Sequence, residues 1–398
     1  MFSSRLPASL APTPLAAAIA TRRGRPGRLL DLTLSNPTAA GLAYPETLAV
    51  AWSNEAGLRY SPHSRGLRSA REAVSAWYAS VGETVDPDAL VLTASTSEAY
   101  GYLFKLLCDP GDDVLVPTPS YPLFEHLARL EGVAVTSYAF RDVGHWVLDA
   151  ASLEAQVSPR TRALIVVSPN NPTGHVPTTR EWEAMADVCR RHRLALIVDE
   201  VFASYPLDGR TGSTSSPWNP EPGNDGWLDD VLTFRLNGLS KLIGLPQAKL
   251  GWVAASGPSF TVAPALDALD LIADTYLSVS TPVQVALPSL LQQGAAIRTE
   301  IQRRLRANLA HVAGRLSGTA LDLRRPDGGW SVVVRVPCLG DADDLPLALL
   351  AHDVLVHPGY FYDLPHDGYI VVSLLTPERD MQDGLDVICS LPVLQEHA

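Results

Sequence analysis

Ala163-Leu164-Ile165-Val166-Val167-Ser168-Pro169-Asn170-Asn171-Pro172-Thr173-Gly174 is the stretch that decides the fold. The unbroken apolar run reads as a strand buried on both faces, and the Pro, Asn and Gly residues that close it read as a turn at the strand's C-terminal end. A second run, Leu194-Ala195-Leu196-Ile197-Val198, ends in Asp199-Glu200. Between the two, Thr179–His192 reads as a helix. Strand, helix and strand in that order make a βαβ unit, and so a parallel sheet. The same texture extends outward. Leu90–Leu92, Val114–Val116, Val231–Arg235 and Gly251–Ala255 are candidate strands. Ser97–Leu107 places Ala99, Leu103, Leu106 and Leu107 on one helical face.

After a long amphipathic helix at Ile297–Leu316 the texture changes. Trp330–Val336, Val354–His357 and Tyr369–Leu375 read as strands with shorter connections, which suggests a smaller α+β domain. The expected division is an N-terminal segment 1–47 that packs with the small domain, a large domain 48–290 and a small domain 291–398. Asp208–Asp230, rich in Gly, Pro, Ser and Asp, reads as a surface loop.

The 398 residues suffice for such an arrangement, and 46% apolar with 19% charged residues is ordinary for a globular chain. A net charge of −12 argues against nucleic acid or an anionic membrane as the main partner. The four cysteines, Cys108, Cys189, Cys338 and Cys389, are widely spaced and form no zinc pattern, so they read as reduced thiols and no metal is expected. The apolar N-terminal stretch precedes its arginines and is interrupted by Pro12 and Pro14, unlike a secretory signal. Thr275–Ile297 lacks charge but carries too many Pro, Gln, Ser and Thr residues for a membrane span. These features lead to the expectation of a cytoplasmic protein.

Four stretches carry chemistry. Thr93-Ala94-Ser95-Thr96-Ser97 opens a helix, where free backbone N–H groups and hydroxyls can hold a phosphate or simply cap the helix. Ser168–Gly174 stands where open α/β sheets place ligands. Asp199 closes a buried strand, and a carboxylate there needs a partner: a cationic ring nitrogen, a helix cap or an internal salt bridge. In Leu239-Ser240-Lys241 a lysine sits among apolar residues, where an amine with a lowered pKa becomes a nucleophile towards aldehydes. Lys249-Leu250-Gly251-Trp252 follows.

The ordered set Ser95-Thr96-Ser97, Pro119-Ser120-Tyr121, Asn170–Gly174, Asp199-Glu200-Val201, Ser240-Lys241 and Lys249 resembles the class I/II aminotransferases of the fold-type I pyridoxal 5'-phosphate (PLP) enzymes. The resemblance runs from about Leu32 to Ile388. It implies an α/β large domain with a mainly parallel, seven-stranded-type sheet, a smaller α+β domain and PLP as cofactor. It implies a transfer of an amino group between an amino compound and a 2-oxo acid. Lys241 matches the Schiff-base lysine, Asp199 the partner of the pyridine nitrogen, Asn171 the donor to the ring's phenolic oxygen, and Tyr121 the residue stacked on the ring. Ser95, Thr96, Ser240 and Lys249 match the phosphate cup. Tyr60 matches a tyrosine that reaches the phosphate from the neighbouring subunit, implying a homodimer. Asn36 and Asn171 fall on the substrate side.

Three positions depart from the pattern. Phe202 replaces a tyrosine, and Lys249 replaces an arginine. Val371, in Tyr369-Ile370-Val371-Val372-Ser373, stands where the family has its carboxylate-binding arginine. Arg335 is the candidate replacement clamp and Arg379 a weaker one. His357, Trp330 and Trp252 read as structural residues. The same lysine, aspartate and asparagine also serve lyases, racemases and decarboxylases. A PLP-sensing regulator would need a DNA-binding domain for which about 30 N-terminal residues leave no room. A nucleotide-dependent oxidoreductase would need a G-x-G-x-x-G after a strand, and none occurs.

Overall fold

The computed structural model describes residues 2–7, 9–207, 218, 228–337, 340–364 and 368–395. Eight strands form one sheet: β1 (Leu90–Thr93), β2 (Asp113–Thr118), β3 (Ala134–Asp142), β4 (Trp146–Leu148), β5 (Thr161–Val167), β6 (Ala195–Asp199), β7 (Thr233–Gly238) and β8 (Gly251–Ser256). Their spatial order is β1-β8-β7-β6-β5-β2-β3-β4. The junctions from β7 through β6, β5 and β2 to β3 are parallel, while β8 and β4 run against their neighbours.

All six expected strands of this sheet are present, with shifted ends. The strand expected at Val231–Arg235 runs instead to Gly238, because its polar residues are buried and satisfied: Asn237 Nδ2 donates to the Glu200 carbonyl at 3.3 Å. The eighth strand beyond the expected seven is the short β4, which pairs with the edge of β3. Neither β3 nor β4 was among the expected strands, since β3 is half-exposed and interleaves Thr, Ser and Arg with its apolar residues.

Both faces of the central strands are buried, as the unbroken apolar runs predict. Helix α1 (Thr96–Leu107) packs on β8, β7 and β1 and buries Ala99 and Leu103 in one cluster with Ile165 and Ile197, while α2 (Thr179–His192) buries Trp182 and Met185 in a second cluster with Leu164 and Leu196. Period-two alternation along β5 and β6 delivers these residues to opposite sides. α2 has the expected bounds and opens on a capping box between Thr178 and Glu181.

The helix expected at Ile297–Leu316 is longer. α3 spans Thr281–Leu316 and crosses residues 290 and 291 without interruption. Leu287, Leu290, Leu291, Gly294, Ile297, Ile301 and Leu305 are buried along it, so packing outweighs the hydrogen bond that Pro288 removes. Among the described residues no helix is long and apolar enough to cross a membrane.

Beyond α3 lies an antiparallel sheet of β9 (Asp322–Arg324), β10 (Ser331–Arg335), β11 (His357–Pro358) and β12 (Tyr369–Ser373), in the order β9-β10-β12-β11. The strand expected at Val354–His357 is divided. Val354–Leu355 pairs in parallel with Leu30–Asp31, tying the N-terminal segment to this part of the chain, and His357 joins the sheet. Helix α4 (Glu378–Ser390) packs along α3. Most of the loop expected at Asp208–Asp230, and Cys338, lie outside the described residues.

Candidate active site

The C-terminal ends of β5, β6 and β7 converge. Val167, Asp199 and Leu236 lie side by side in the register, so the turn after β5, the carboxylate ending β6 and the lysine turn after β7 share one rim of the sheet. The Ser168 N–H donates to the Asp199 carbonyl at 3.0 Å and stitches two of these ends together.

Asp199 and Glu200 divide the two readings of a buried carboxylate between them. Glu200 accepts from Arg235 Nε at 2.9 Å and forms the internal salt bridge, with Glu83 on the same guanidinium. Asp199 is buried and has no cation within ion-pair distance among the described residues. Its Oδ1 accepts from the Val201 N–H and its Oδ2 from the Tyr100 hydroxyl, both at 3.1 Å. Burial pushes its carboxyl up to about 6, and these two donors limit the rise.

Lys241 stands on the single helical turn Leu239–Leu242. Tyr205, wholly buried, donates its hydroxyl to the Lys241 carbonyl at 2.6 Å and so fixes the turn. The ammonium lies 4.9 Å from the centre of the Trp330 ring and 5.9 Å from that of Phe202, and it donates to the Ser35 carbonyl at 3.4 Å. Burial pulls its pKa down to about 8, against the opposing pull of the Asp199 charge. A lysine poised near neutrality is a competent nucleophile and proton carrier.

Asn170 holds the β5 turn in shape. Its Nδ2 donates to the Pro119 carbonyl at 3.0 Å and to Thr173 Oγ1 at 2.9 Å. Asn171, the next residue, is left to face the site, and its Oδ1 accepts from Ser331 Oγ at 3.5 Å. Gly174 has φ +69°, and a Cβ there would meet Pro326 Cβ at 2.2 Å. Only glycine lets the segment 326–328 close over this turn.

Ser95 is a true N-cap: its hydroxyl accepts from the Glu98 N–H at 3.1 Å. It also stands at the positive end of a twelve-residue helix, so capping and anion binding coexist there. A Cβ on Gly251 would lie 3.2 Å from Thr96 N, so glycine brings β8 against that helix end and carries Lys249 towards it. The Lys249 backbone is left-handed, φ +51°, and its side chain is exposed.

The structure therefore brings Lys241, Asp199, Asn171, Ser240, Ser95 and Thr96 to one rim. Tyr121 lies beside it, half-exposed, near Tyr362. Asn36 is not brought to the lysine: its Oδ1 accepts from the Thr38 N–H at 3.1 Å, and it is the carbonyl of its neighbour Ser35 that receives the Lys241 ammonium. Tyr60 is exposed and makes no contact with these groups within the chain. Arg335 is not brought in: it is exposed at the far end of β10, opposite Tyr369 and about 13 Å along the strand from Ser331. Strand alternation puts it on the right face at the wrong depth. Sequence reasoning missed Tyr100, Tyr205 and Ser331. Tyr100 follows Thr96 by one helical turn, and that spacing was the available signal.

Fold and site together define an α/β core whose lysine and buried carboxylate stand on one rim of the central sheet. The chain belongs to the aminotransferase class I and II family, whose model matches residues 33–388, and it is a transaminase. It is 29% identical over 356 residues to an alanine aminotransferase of Mycobacterium tuberculosis, covering 88% of this chain and 76% of that one. It is 30% identical over 346 residues to nicotianamine aminotransferase 1 of rice, covering 83% and 67%. Among solved structures, an alanine aminotransferase from Pyrococcus furiosus superposes with a TM-score of 0.85 at 24% identity, covering 98% of each chain.

Proposed function

We propose that this transaminase uses PLP to move an amino group between an amino compound and a carbonyl acceptor of the 2-oxo acid type. One observation carries the reading: Asp199 is a buried carboxylate held by two neutral donors, with no ion-pair partner among the described residues, at the rim where Lys241 stands. That donor set fits a protonated pyridine nitrogen. When bound, PLP supplies an electron sink for the charge that develops at the substrate carbon.

Lys241 would hold the cofactor through its amine and, as a neutral amine, would carry the proton to and from the substrate carbon. Asp199 keeps the ring nitrogen protonated, and Tyr100 with the Val201 N–H keeps Asp199 ionised. Asn171 and Tyr121 would hold the ring, Asn171 as a hydrogen-bond donor and Tyr121 as an aromatic contact. Ser95, Thr96, Ser240 and Lys249 hold the phosphate, joined by Tyr60 from the second copy of a homodimer. In this reading the enzyme is cytoplasmic, and α3 spans the division between domains 48–290 and 291–398, with 1–47 on the small one.

The test is to incubate the PLP-loaded protein with amino donors and follow absorbance. Conversion of the cofactor to its amine form supports transamination. Release of pyruvate and ammonia without that conversion supports a lyase and refutes the proposal.

A further inference from the structure

The sequence leaves the lysine turn short of donors. Leu239–Leu242 is a single helical turn, closed by the Ile243 N–H on the Leu239 carbonyl at 3.4 Å and followed by Gly244 at φ +65°. In a continuing helix the Lys241 carbonyl would accept from residue 245 and the Leu242 carbonyl from residue 246. The Leu245 N–H instead turns to the Leu239 carbonyl, at 3.0 Å, and residue 246 is a proline, which has no N–H. The carbonyls at the root of Lys241 therefore take their donors from elsewhere in the chain.

Two phenols supply them. Tyr205, on the segment that follows β6, donates its hydroxyl to the Lys241 carbonyl at 2.6 Å and reaches the Leu242 carbonyl at 3.2 Å. Tyr44, from the N-terminal segment, donates to the Gly244 carbonyl at 2.7 Å. Burial pushes both phenols up, Tyr44 to about 12, so both stay protonated and remain donors at any working pH. Tyr205 is also tied to the chain that roofs the site. Its carbonyl accepts from the Gly329 N–H at 2.9 Å, and the Leu207 N–H donates to the Asp327 carbonyl at 2.7 Å. The Asp327 and Gly328 N–H groups both donate to the Gly174 carbonyl at 3.0 Å, on the turn that presents Asn171. The Tyr205 ring meets Trp330 edge-on at 5.4 Å, and Trp330 is the ring over which the Lys241 ammonium lies at 4.9 Å. One wholly buried tyrosine thus joins the root of the lysine, the ring beneath its tip and the segment that closes over the β5 turn.

We propose that Tyr205, aided by Tyr44, is a positioning residue for the transfer: its hydroxyl fixes the root of the Lys241 side chain and so holds the amine over the Trp330 ring. The proposal rests on the proton-carrying role given to Lys241 above and names the residues that place it. Neither phenol acts on the substrate; both act through the lysine turn. Proton transfer depends steeply on the placement of the carrier, and a displacement of about 1 Å costs about a hundredfold in rate. The orphan carbonyls also carry the cost of a buried group left without a donor, so a turn that loses the Tyr205 hydroxyl shifts to find another partner.

The test is Tyr205→Phe, which removes the hydroxyl and keeps the ring against Trp330. In single-turnover absorbance experiments on the PLP-loaded protein, the rate at saturating amino donor should fall about tenfold or more, while the donor concentration for half-saturation changes by less than about twofold. A second readout needs neither cofactor nor turnover. Acetic anhydride labels neutral amines, and its reaction with Lys241 in the cofactor-free protein can be followed by peptide mass spectrometry from about pH 6 to pH 10. Asp199 is the charged group that acts on this amine, and burial holds its midpoint down to about 8. A released turn lets the amine into water, so the midpoint should rise by about half a unit or more in Tyr205→Phe. Tyr138→Phe is the control: it removes an equally buried hydroxyl from the Ile165 carbonyl, 2.9 Å away within β5, and should leave both readouts as in the parent. Tyr44→Phe should move both in the same direction, the rate by about threefold, and it decides the matter if Tyr205→Phe does not fold. Parent values in the folded variant, or equal changes in Tyr138→Phe, overturn the positioning role and leave the transaminase reading intact. Failure of the parent to convert the cofactor to its amine form with any donor removes both.

Discussion

The Tyr100 hydroxyl donates a 3.1 Å hydrogen bond to Asp199 Oδ2, joining the first turns of helix α1 to the end of strand β6. Both groups are buried. The bond favours the charged carboxylate, so its loss raises the carboxyl pKa further. A hydrogen bond to a charged group is worth about 1.5–3 kcal/mol, or about 1–2 pKa units. In Tyr100→Phe, PLP affinity of the cofactor-free protein should begin to fall about one pH unit higher on acidification than in the parent. Transamination at neutral pH should drop about tenfold. Fluorescence titrations of PLP across pH 5–8 check the first, and an unshifted acid limb would assign Tyr100 a merely structural role.

Asp199 itself makes an opposite pair of predictions for stability and activity. Its folded pKa, about 6, lies above the unfolded value near 3.8. Its contribution to stability is therefore full below pH 4 and is lost as pH rises to 6 and above. Without the cofactor, Asp199→Asn should be more stable than the parent at pH 8, by about 1–3 kcal/mol, with no gain at pH 4. Turnover should fall by about a thousandfold or more, since the ring nitrogen loses its anion. Guanidinium unfolding at the two pH values checks the sign.

Much of this site was legible because its groups lie at strand ends marked by local chemistry. The Asn-Pro-Gly turn, the acidic end of an apolar run and the lysine after Gly238 each announce themselves within a few residues. Tyr100 does not, because a phenol on the buried face of a helix looks like core until β6 is placed beneath it. Tyr205 and Ser331 reach the site from segments distant in sequence, so their roles depend on docking that no local pattern encodes. Arg335 was misplaced for a related reason. Alternation identifies its face, but only the register against β12 sets how far along the strand it stands. Strand β3 escaped notice because its exposed face is polar and its apolar run is broken.

Lys241→Ala should bind PLP without developing the visible absorbance of the covalently attached cofactor. Its transamination should fall by about a thousandfold or more, the loss expected for a proton carrier acting at the reacting carbon. The folded pKa of the lysine, about 8, lies below the usual lysine value. The amine thus lowers stability progressively as pH falls towards 8, and the cofactor-free variant should gain stability relative to the parent at neutral pH. Absorbance spectra and denaturant unfolding at pH 7 test both statements, and persistence of the visible band would refute the assignment of the lysine.

Gly174 distinguishes strain at the cofactor turn from strain elsewhere. A Cβ at this position would stand 2.2 Å from Pro326 Cβ and 2.6 Å from the Gly328 carbonyl oxygen, on a backbone with φ +69°. Gly318 has a similar φ, +76°, with nothing within 4 Å of a Cβ. Gly174→Ala should therefore cost about 2–4 kcal/mol through conformation and overlap together, and Gly318→Ala about 1 kcal/mol through conformation alone. Because Gly174 donates its N–H to the Asn170 carbonyl at 2.7 Å, relief of the overlap must displace the turn that presents Asn171. PLP affinity should fall at least tenfold in Gly174→Ala and stay unchanged in Gly318→Ala. Equal loss of affinity in both would mean that stability, and not the turn's position against residues 326–328, controls cofactor binding.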